Sequence, residues 1–344
     1  MANKKTYHII GAGVAGLYTA KLLKKKHPRS RVIVYESAEK IGGRCMENFS
    51  QSLDCRTDNA THVVLNCNAL TRNLIGQDKF VHKIRFWDLE KNAFVPVWRC
   101  LKESRLAVFN TPTPDWRAKL FLYRKLFPFL GLRAYFSAGT LGKDLYLPLV
   151  HYADELRLGW VWKGIHAQQD YLSELIFNRG KVTLTPDDVV VSAIDSYAYN
   201  RLFGGYDFAY QAIDNFFFRT SMALTLPSAA KMLGLIKAQG QWLFCSPDYA
   251  AVTISHVTEK FDERAIWQEI CTLRHYNSAF MPRFDRRHFP RATISQDADN
   301  NRKRPSSAQT FYKNLFICGD WTMKNQPCCI ETALQSARRV CRFL

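Results

Sequence analysis

Gly11-Ala12-Gly13-Val14-Ala15-Gly16 interrupts an apolar stretch near the start of the chain, and Glu36 stands 20 residues beyond the last of these glycines. Each glycine serves a different need: Gly11 permits a tight turn, Gly13 lets an anionic group approach the backbone, and Gly16 lets a helix pack closely on a strand. Free N–H groups at a helix opening with Val14 and Ala15 attract a diphosphate. A carboxylate at Glu36, with Ser37 beside it, accepts hydrogen bonds from both hydroxyls of a ribose and repels a 2′-phosphate. The pattern is that of a dinucleotide site. Gly42-Gly43 follows and brings backbone close again, and Arg44 supplies a fixed cation for the diphosphate, a second clamp that nicotinamide dehydrogenases do not need.

These residues require a strand over 6–10, a helix from about Ala15 to Leu23, and a buried strand over 31–35 that ends at the acid. Lys24, Lys25 and Lys26 near the helix end suit its dipole, and Pro28 stops it. The other end of the chain repeats the design. A buried strand over 314–318 leads into Gly319-Asp320-Trp321-Thr322, then a polar loop through Pro327, then a helix from about Ile330 to the end.

The Gly43-Arg44 clamp resembles the GG-R element of the FAD-binding amine oxidase and carotenoid desaturase superfamily. That resemblance implies FAD as cofactor, with Gly319 and Asp320 at the ribityl chain. It also implies that the helix opening with Ile330 and Thr332 points its N–H groups at the pyrimidine edge of the flavin, where negative charge collects on reduction. A narrower resemblance is to the hydroxysqualene dehydroxylase family. It is carried in order by Asp58-Asn59-Ala60-Thr61-His62, Phe109-Asn110-Thr111-Pro112-Thr113, Asp144-Leu145-Tyr146-Leu147-Pro148, Gly234-Leu235 with Gln241-Trp242-Leu243-Phe244, Arg291-Ala292-Thr293, Arg304-Pro305 and 314–322. The chain departs from the family pattern at Ala60, Thr61 and Thr332, the last replacing a glycine. It also runs almost directly from strand to strand between Lys181 and Val189, where a longer member carries a β-meander.

The resemblance implies an α/β fold: a Rossmann-like FAD-binding domain with a parallel sheet, and an inserted mixed α+β substrate domain. The expected boundaries are 1–75, 172–200 and 300–344 for the first, and 76–171 and 201–299 for the second. The implied activity is an FAD-dependent oxidoreductase acting on a polyprenyl lipid, removing the allylic hydroxyl of hydroxysqualene to give squalene. A carotenoid-type desaturase, an amine-oxidase-like flavoenzyme and a non-catalytic FAD- or lipid-binding scaffold are the alternatives. No second dinucleotide fingerprint is visible, so reduced flavin requires an external electron donor. His62 is the candidate proton donor. Phe216-Phe217-Phe218 and Trp160 to Trp162 are candidates to line an apolar tunnel.

The 344 residues carry 48 Lys and Arg against 30 Asp and Glu, a net charge of +18 that invites anionic partners. The basic run from Arg283 to Arg304 lacks any nucleic-acid-binding motif beside it, so nucleic acid is not expected and a solvated or phospholipid-facing surface is. Residues 117–136 mix apolar and basic side chains in the manner of a lipid-entry lip, which allows peripheral contact with the inner face of a membrane. No stretch is apolar enough to span one, and the N-terminus lacks a signal-peptide design. No metal constellation appears. The ten cysteines form no CxxC pair and read as reduced, cytoplasmic thiols.

Overall fold

The computed structural model describes residues 5–96, 115–117, 120, 124, 133–220, 231–274 and 280–344. The chain divides into two compact units, Met1–Met46 with Leu141–Phe208 and Ala298–Leu344, and Glu47–Thr140 with Ala209–Asp297.

The first unit is built on five parallel strands in the order Glu155–Arg157, Arg31–Tyr35, Thr6–Ile10, Val189–Ser192, Leu315–Ile317. Their Val- and Ile-rich runs are buried on both faces, as a covered parallel sheet requires. The helices Val14–Lys26 and Ile330–Phe343 pack against each other. Ile10, Ile33, Tyr35, Val190 and Leu315 point instead into a core shared with an antiparallel meander, Trp162–Gln168, Tyr171–Phe177 and Gly180–Thr183. A meander is thus present, placed just upstream of the short 181–189 connection. Trp160 and Trp162 belong to this core and line no tunnel.

The second unit contains a seven-stranded sheet in the order Phe284–Ile294, Tyr210–Arg219, Tyr249–Ser255, Trp242–Cys245, Met232–Ile236, Phe86–Asp88, Ala93–Val95. Pairing is antiparallel except between Met232–Ile236 and Phe86–Asp88. Side chains alternate between faces along a strand. Phe216 and Phe218 therefore pack with Ile266, Trp267 and Ile270 of the helix Glu263–Arg274, while Phe217 enters the core on the opposite face. All three are essentially inaccessible, so this aromatic run is core rather than tunnel.

The cuts between units fall differently from the expected boundaries. Residues 141–171 lie with the parallel sheet because Glu155–Arg157 extends it beside Arg31–Tyr35, and Trp162–Gln168 opens the meander upon it. Residues 47–75 lie in the other unit, where Glu47–Ser50 and Cys55–Asp58 form a hairpin tied to the seven-stranded sheet by Ser50 on Asp285 and Arg287 on Thr57. The basic run is exposed at Arg283, Arg291, Arg302 and Lys303 but engaged inside the fold elsewhere. Arg286 bridges Asp214 and Glu263, Arg287 bonds Asp285 and three groups of the 57–59 segment, and Arg304 is buried. The lip proposed over 117–136 falls mostly outside the described residues; its end, Arg133–Phe136, is a largely buried strand. No described helix is long and apolar enough to cross a membrane, and the nine described cysteines are free thiols.

A polar cluster sits inside the first unit. His8 is buried, with Nδ1 3.0 Å from the Tyr35 hydroxyl and Nε2 3.9 Å from Asp188. Burial acts to raise the Asp188 carboxyl, but the interaction with His8 and the hydrogen bonds from Thr185 outweigh it and hold it at about 2, below the ordinary 3.8. A carboxyl depressed in the folded state stabilises above its unfolded pKa and loses that contribution as pH falls through the folded value. Asp188→Asn is expected to cost about 2 kcal/mol at pH 6 and roughly half of that at pH 3, measured by urea unfolding of both proteins at each pH.

Candidate functional site

The glycine turn is a strand end, a helix start and very little else. Gly11 adopts φ +110°, and a Cβ there would lie 2.8 Å from the Ala193 carbonyl oxygen. At Gly16 the constraint is harder, because a Cβ would lie 1.9 Å from the carbonyl oxygen of Gly11. At Gly13 a Cβ would meet no atom within 4 Å. Gly11 and Gly16 thus serve the fold, while the freedom around Gly13 is room for a ligand. The helix has no side-chain cap, and its first backbone bond runs from Leu17 N–H to the Gly13 carbonyl. The N–H groups of Val14, Ala15 and Gly16 precede that ladder and are available to an anion.

Glu36 closes the far side of this turn. It is buried; Oε2 accepts from the Ala12 N–H at 2.8 Å, and Oε1 accepts from the Ser37 hydroxyl at 3.1 Å and the Ala38 N–H at 3.0 Å. The carboxylate therefore braces the glycine turn, and Ser37 acts through it.

Gly42 and Gly43 both have positive φ, +107° and +55°. Gly42 donates its N–H to Ala12 at 2.9 Å and has no room for a side chain, since a Cβ would lie 2.7 Å from the Tyr146 ring. The segment Asp144–Pro148 thereby supports the second glycine pair from behind. A Cβ on Gly43 would come within 3.4 Å of Gly13 Cα, so the two glycine turns are neighbours. Arg44 leaves this turn and donates to Asp320 Oδ1 at 2.6 Å. The Asp320 carboxylate is buried and holds the guanidinium firmly in its charged form. The expected diphosphate cation and the expected ribityl acid are thus one ion pair.

The last strand delivers Gly319 at φ +136°, its N–H donated to the Ser336 hydroxyl at 2.8 Å and its carbonyl bonded by Thr322. The helix opening at Ile330 also lacks a side-chain cap. Thr332 lies in its first turn, buried, with its hydroxyl 3.3 Å from Cys329 Sγ and donating to Gln326 Oε1 at 3.4 Å. Ser336 and Gln326 take part in this end of the fold without any motif to announce them, while Arg304 belongs to the Arg304-Pro305 pair that carries the family resemblance. Only its position one turn beyond Thr332 on the same helix could have suggested Ser336.

His62 belongs to the second unit. The turn before it is held at almost every residue. Asp58 Oδ2 accepts from Ser137 Oγ and from Gly139 N–H at 3.2 Å, and Arg287 donates to the carbonyls of Asp58 and Asn59 at 2.7 and 3.2 Å. Thr61 N–H donates to the buried Asn215 at 3.3 Å. His62 itself is half-buried at the end of this fixed turn. The same unit contains a cavity of about 520 Å³ lined about equally by apolar side chains such as Phe86, Trp242 and Phe261 and by polar ones such as Gln241, His256 and Glu259; His62 is not among its lining residues. Ligand pockets commonly have such volumes.

The residues of the first unit fit a flavin dinucleotide: an open approach at Gly13, uncapped helix starts at Val14 and Ile330, a ribose carboxylate and a cation fixed by Asp320. A substitution pair separates fold from ligand. Gly13→Val is expected to keep the wild-type far-UV circular dichroism while losing the yellow cofactor, because its side chain occupies ligand space. Gly16→Val is expected to be insoluble or destabilised by more than about 3 kcal/mol, since its side chain meets the Gly11 backbone. Retention of full visible absorbance by Gly13→Val contradicts the site.

Known proteins place this geometry. Residues 9–74 match the family described as NAD(P)-binding Rossmann-like domain, and residues 244–343 match that described as flavin containing amine oxidoreductase. The chain is 27% identical to a hydroxysqualene dehydroxylase of Sinorhizobium fredii over 412 aligned positions, covering 97% of each chain. Because that alignment is longer than the 344 residues here, the relative carries segments with no counterpart in this chain. A hydroxysqualene dehydroxylase of Zymomonas mobilis is 25% identical over 96% of this chain and 97% of its own length. An oxidoreductase from Methanosarcina mazei shares the fold at a TM-score of 0.68 and 12% identity, covering 98% of this chain and 99% of its own. With the dinucleotide turn, the Arg44–Asp320 pair and the uncapped C-terminal helix in one unit, the chain is an FAD-dependent oxidoreductase that resembles the hydroxysqualene dehydroxylases along its whole length.

Proposed function

We propose that this oxidoreductase removes the allylic hydroxyl of a C30 isoprenoid, converting hydroxysqualene to squalene. The observation that carries the reading is similarity to hydroxysqualene dehydroxylases spanning 97% of both chains rather than the nucleotide motif alone. Ionisation of an allylic alcohol leaves a delocalised cation, and when bound and reduced by an external donor the flavin supplies the hydride that quenches it. The remaining tasks fall to the chain. Val14, Ala15, Glu36 with Ser37, and the Arg44–Asp320 pair hold the dinucleotide. Gly319, together with the helix start at Ile330 and Thr332, orients its redox end. The cavity in the second unit, with Phe86, Trp242 and Phe261 in its lining, offers apolar surface to part of such a substrate.

Departure of hydroxide is slow unless the oxygen takes a proton. His62 is the proposed donor, and the hydrogen bonds that fix 58–61 hold its imidazole on a rigid turn. Rigid placement matters more here than intrinsic acidity, since proton transfer needs hydrogen-bond reach at the moment the C–O bond breaks.

The test uses purified protein loaded with FAD, reduced anaerobically with dithionite and mixed with hydroxysqualene in detergent micelles. Squalene, identified by gas chromatography and mass spectrometry, is the expected product. Inertness toward hydroxysqualene, combined with dehydrogenation of a polyene by the oxidised protein, overturns the reading in favour of a desaturase. His62→Gln is expected to lower the single-turnover rate by at least about 10²-fold with flavin content unchanged. A wild-type rate in that variant removes His62 from the chemistry.

A further inference from the structure

Arg304 lies in the basic run, yet it is only 2% exposed. It follows the short helix Ala298–Lys303 and keeps its N–H on the Asn300 carbonyl. Its guanidinium reaches one loop at three places: Nη1 donates to the carbonyls of Met323 at 2.5 Å and Gln326 at 2.8 Å, and Nη2 to Cys328 Sγ at 3.4 Å. Asn301 grips the same loop one turn earlier, donating to Asn325 Oδ1 at 2.6 Å and accepting the Asn325 N–H at 2.7 Å. Asn325 is held with φ +59°, a conformation that needs such restraint.

The loop so gripped ends at Cys329, the residue that opens the C-terminal helix. Gln326 passes the restraint onward by accepting the Thr332 hydroxyl, and Cys329 meets the same hydroxyl at 3.3 Å. A chain of contacts therefore runs from Arg304 through the loop to the first turn of the helix. Only a planar guanidinium could make it, because one fork must satisfy three acceptors in fixed directions; an ammonium on a flexible stem could not hold all three.

We propose that Arg304 is a positioning residue for the flavin: by fixing the 323–329 loop it fixes the start of the C-terminal helix, and so sets how strongly the site favours reduced over oxidised cofactor. This rests on the flavin reading given above. The positive end of a helix stabilises negative charge only within about its first turn. In a site that excludes water the energy also depends steeply on distance. A loop that relaxes moves that end, and the preference weakens.

The experiment compares FAD-loaded wild type with Arg304→Lys by dye-equilibrated reductive titration. The variant is expected to retain FAD but to show at least a tenfold weaker preference for the reduced form, a fall in midpoint potential of about 30 mV for a two-electron couple. Because lysine keeps the charge, such a fall reports lost geometry. Asn301→Ala leaves Arg304 intact and loosens the same loop; a smaller fall in the same direction is expected. An unchanged potential in Arg304→Lys overturns the proposal. Should that variant fail to fold, an unchanged potential in Asn301→Ala overturns it equally. A wild-type protein that takes up no FAD overturns the flavin reading itself, and is recognised before any variant is examined.

Discussion

Asp320 is a buried carboxylate at the end of the last parallel strand, and Arg44 is the cation that meets it, from 276 residues earlier in the chain. A buried carboxylate without a partner costs several kcal/mol, so Asp320 depends on Arg44, whose own side chain is half-exposed. Arg44 reaches Asp320 only because Gly42 and Gly43 turn the backbone through positive φ, and Gly42 lies where Tyr146 leaves no space for a side chain. Gly42 is tied in turn to Ala12, and Ala12 to Glu36. One ion pair thus transmits constraint from the final strand to both glycine turns and to the Glu36 carboxylate. It sets the spacing between the two glycine turns and the Glu36 carboxylate.

The nucleotide unit was legible because its signals are local. The strand over 6–10, the strand over 31–35 and the helix opening at Ile330 are found at the positions their residues imply. A glycine turn, an acid at the next strand end and a β-branched buried strand each state their own backbone. The aromatic runs were misread for the opposite reason. Phe216-Phe217-Phe218 carries no information about what lies on either side, and only the register with Ala250, Ala251 and Val252 shows a central strand covered on both faces. Part of the basic run is internal for a similar reason. Arg286 is paired with Asp214, 72 positions away, and Arg304 with carbonyls about 20 residues on, partners that no spacing rule within the run can reveal.

The second unit places polar groups inside a largely apolar sheet, and the residues around Asp58 show how they are tolerated. Arg287 satisfies two loop carbonyls, the Thr57 hydroxyl and Asp285, while its plane stacks on Phe217. Asp214, fully buried, is shared between Arg286 and His288 on the neighbouring strand. Leaving either carboxylate unpaired would cost more than any single apolar contact nearby contributes. These arginines are therefore structural cations, and the strongly positive net charge of the chain overstates the charge its surface offers to anionic partners.

Thr332 is the departure from the family pattern that bears most directly on the cofactor. A threonine in a first helical turn loses side-chain freedom relative to glycine, but its backbone there is less costly to order. Its hydroxyl does not stand idle: Gln326 and Cys329 engage it, and Gln326 is itself anchored through its carbonyl by Arg304. The substitution is thus built into a hydrogen-bonded collar around the helix start rather than left as an obstruction. Replacing glycine also adds bulk at a position that is only 1% exposed, and the added methyl and hydroxyl are packed within the collar. The same contacts stiffen the opening turn of the C-terminal helix, whose first N–H groups precede its own ladder.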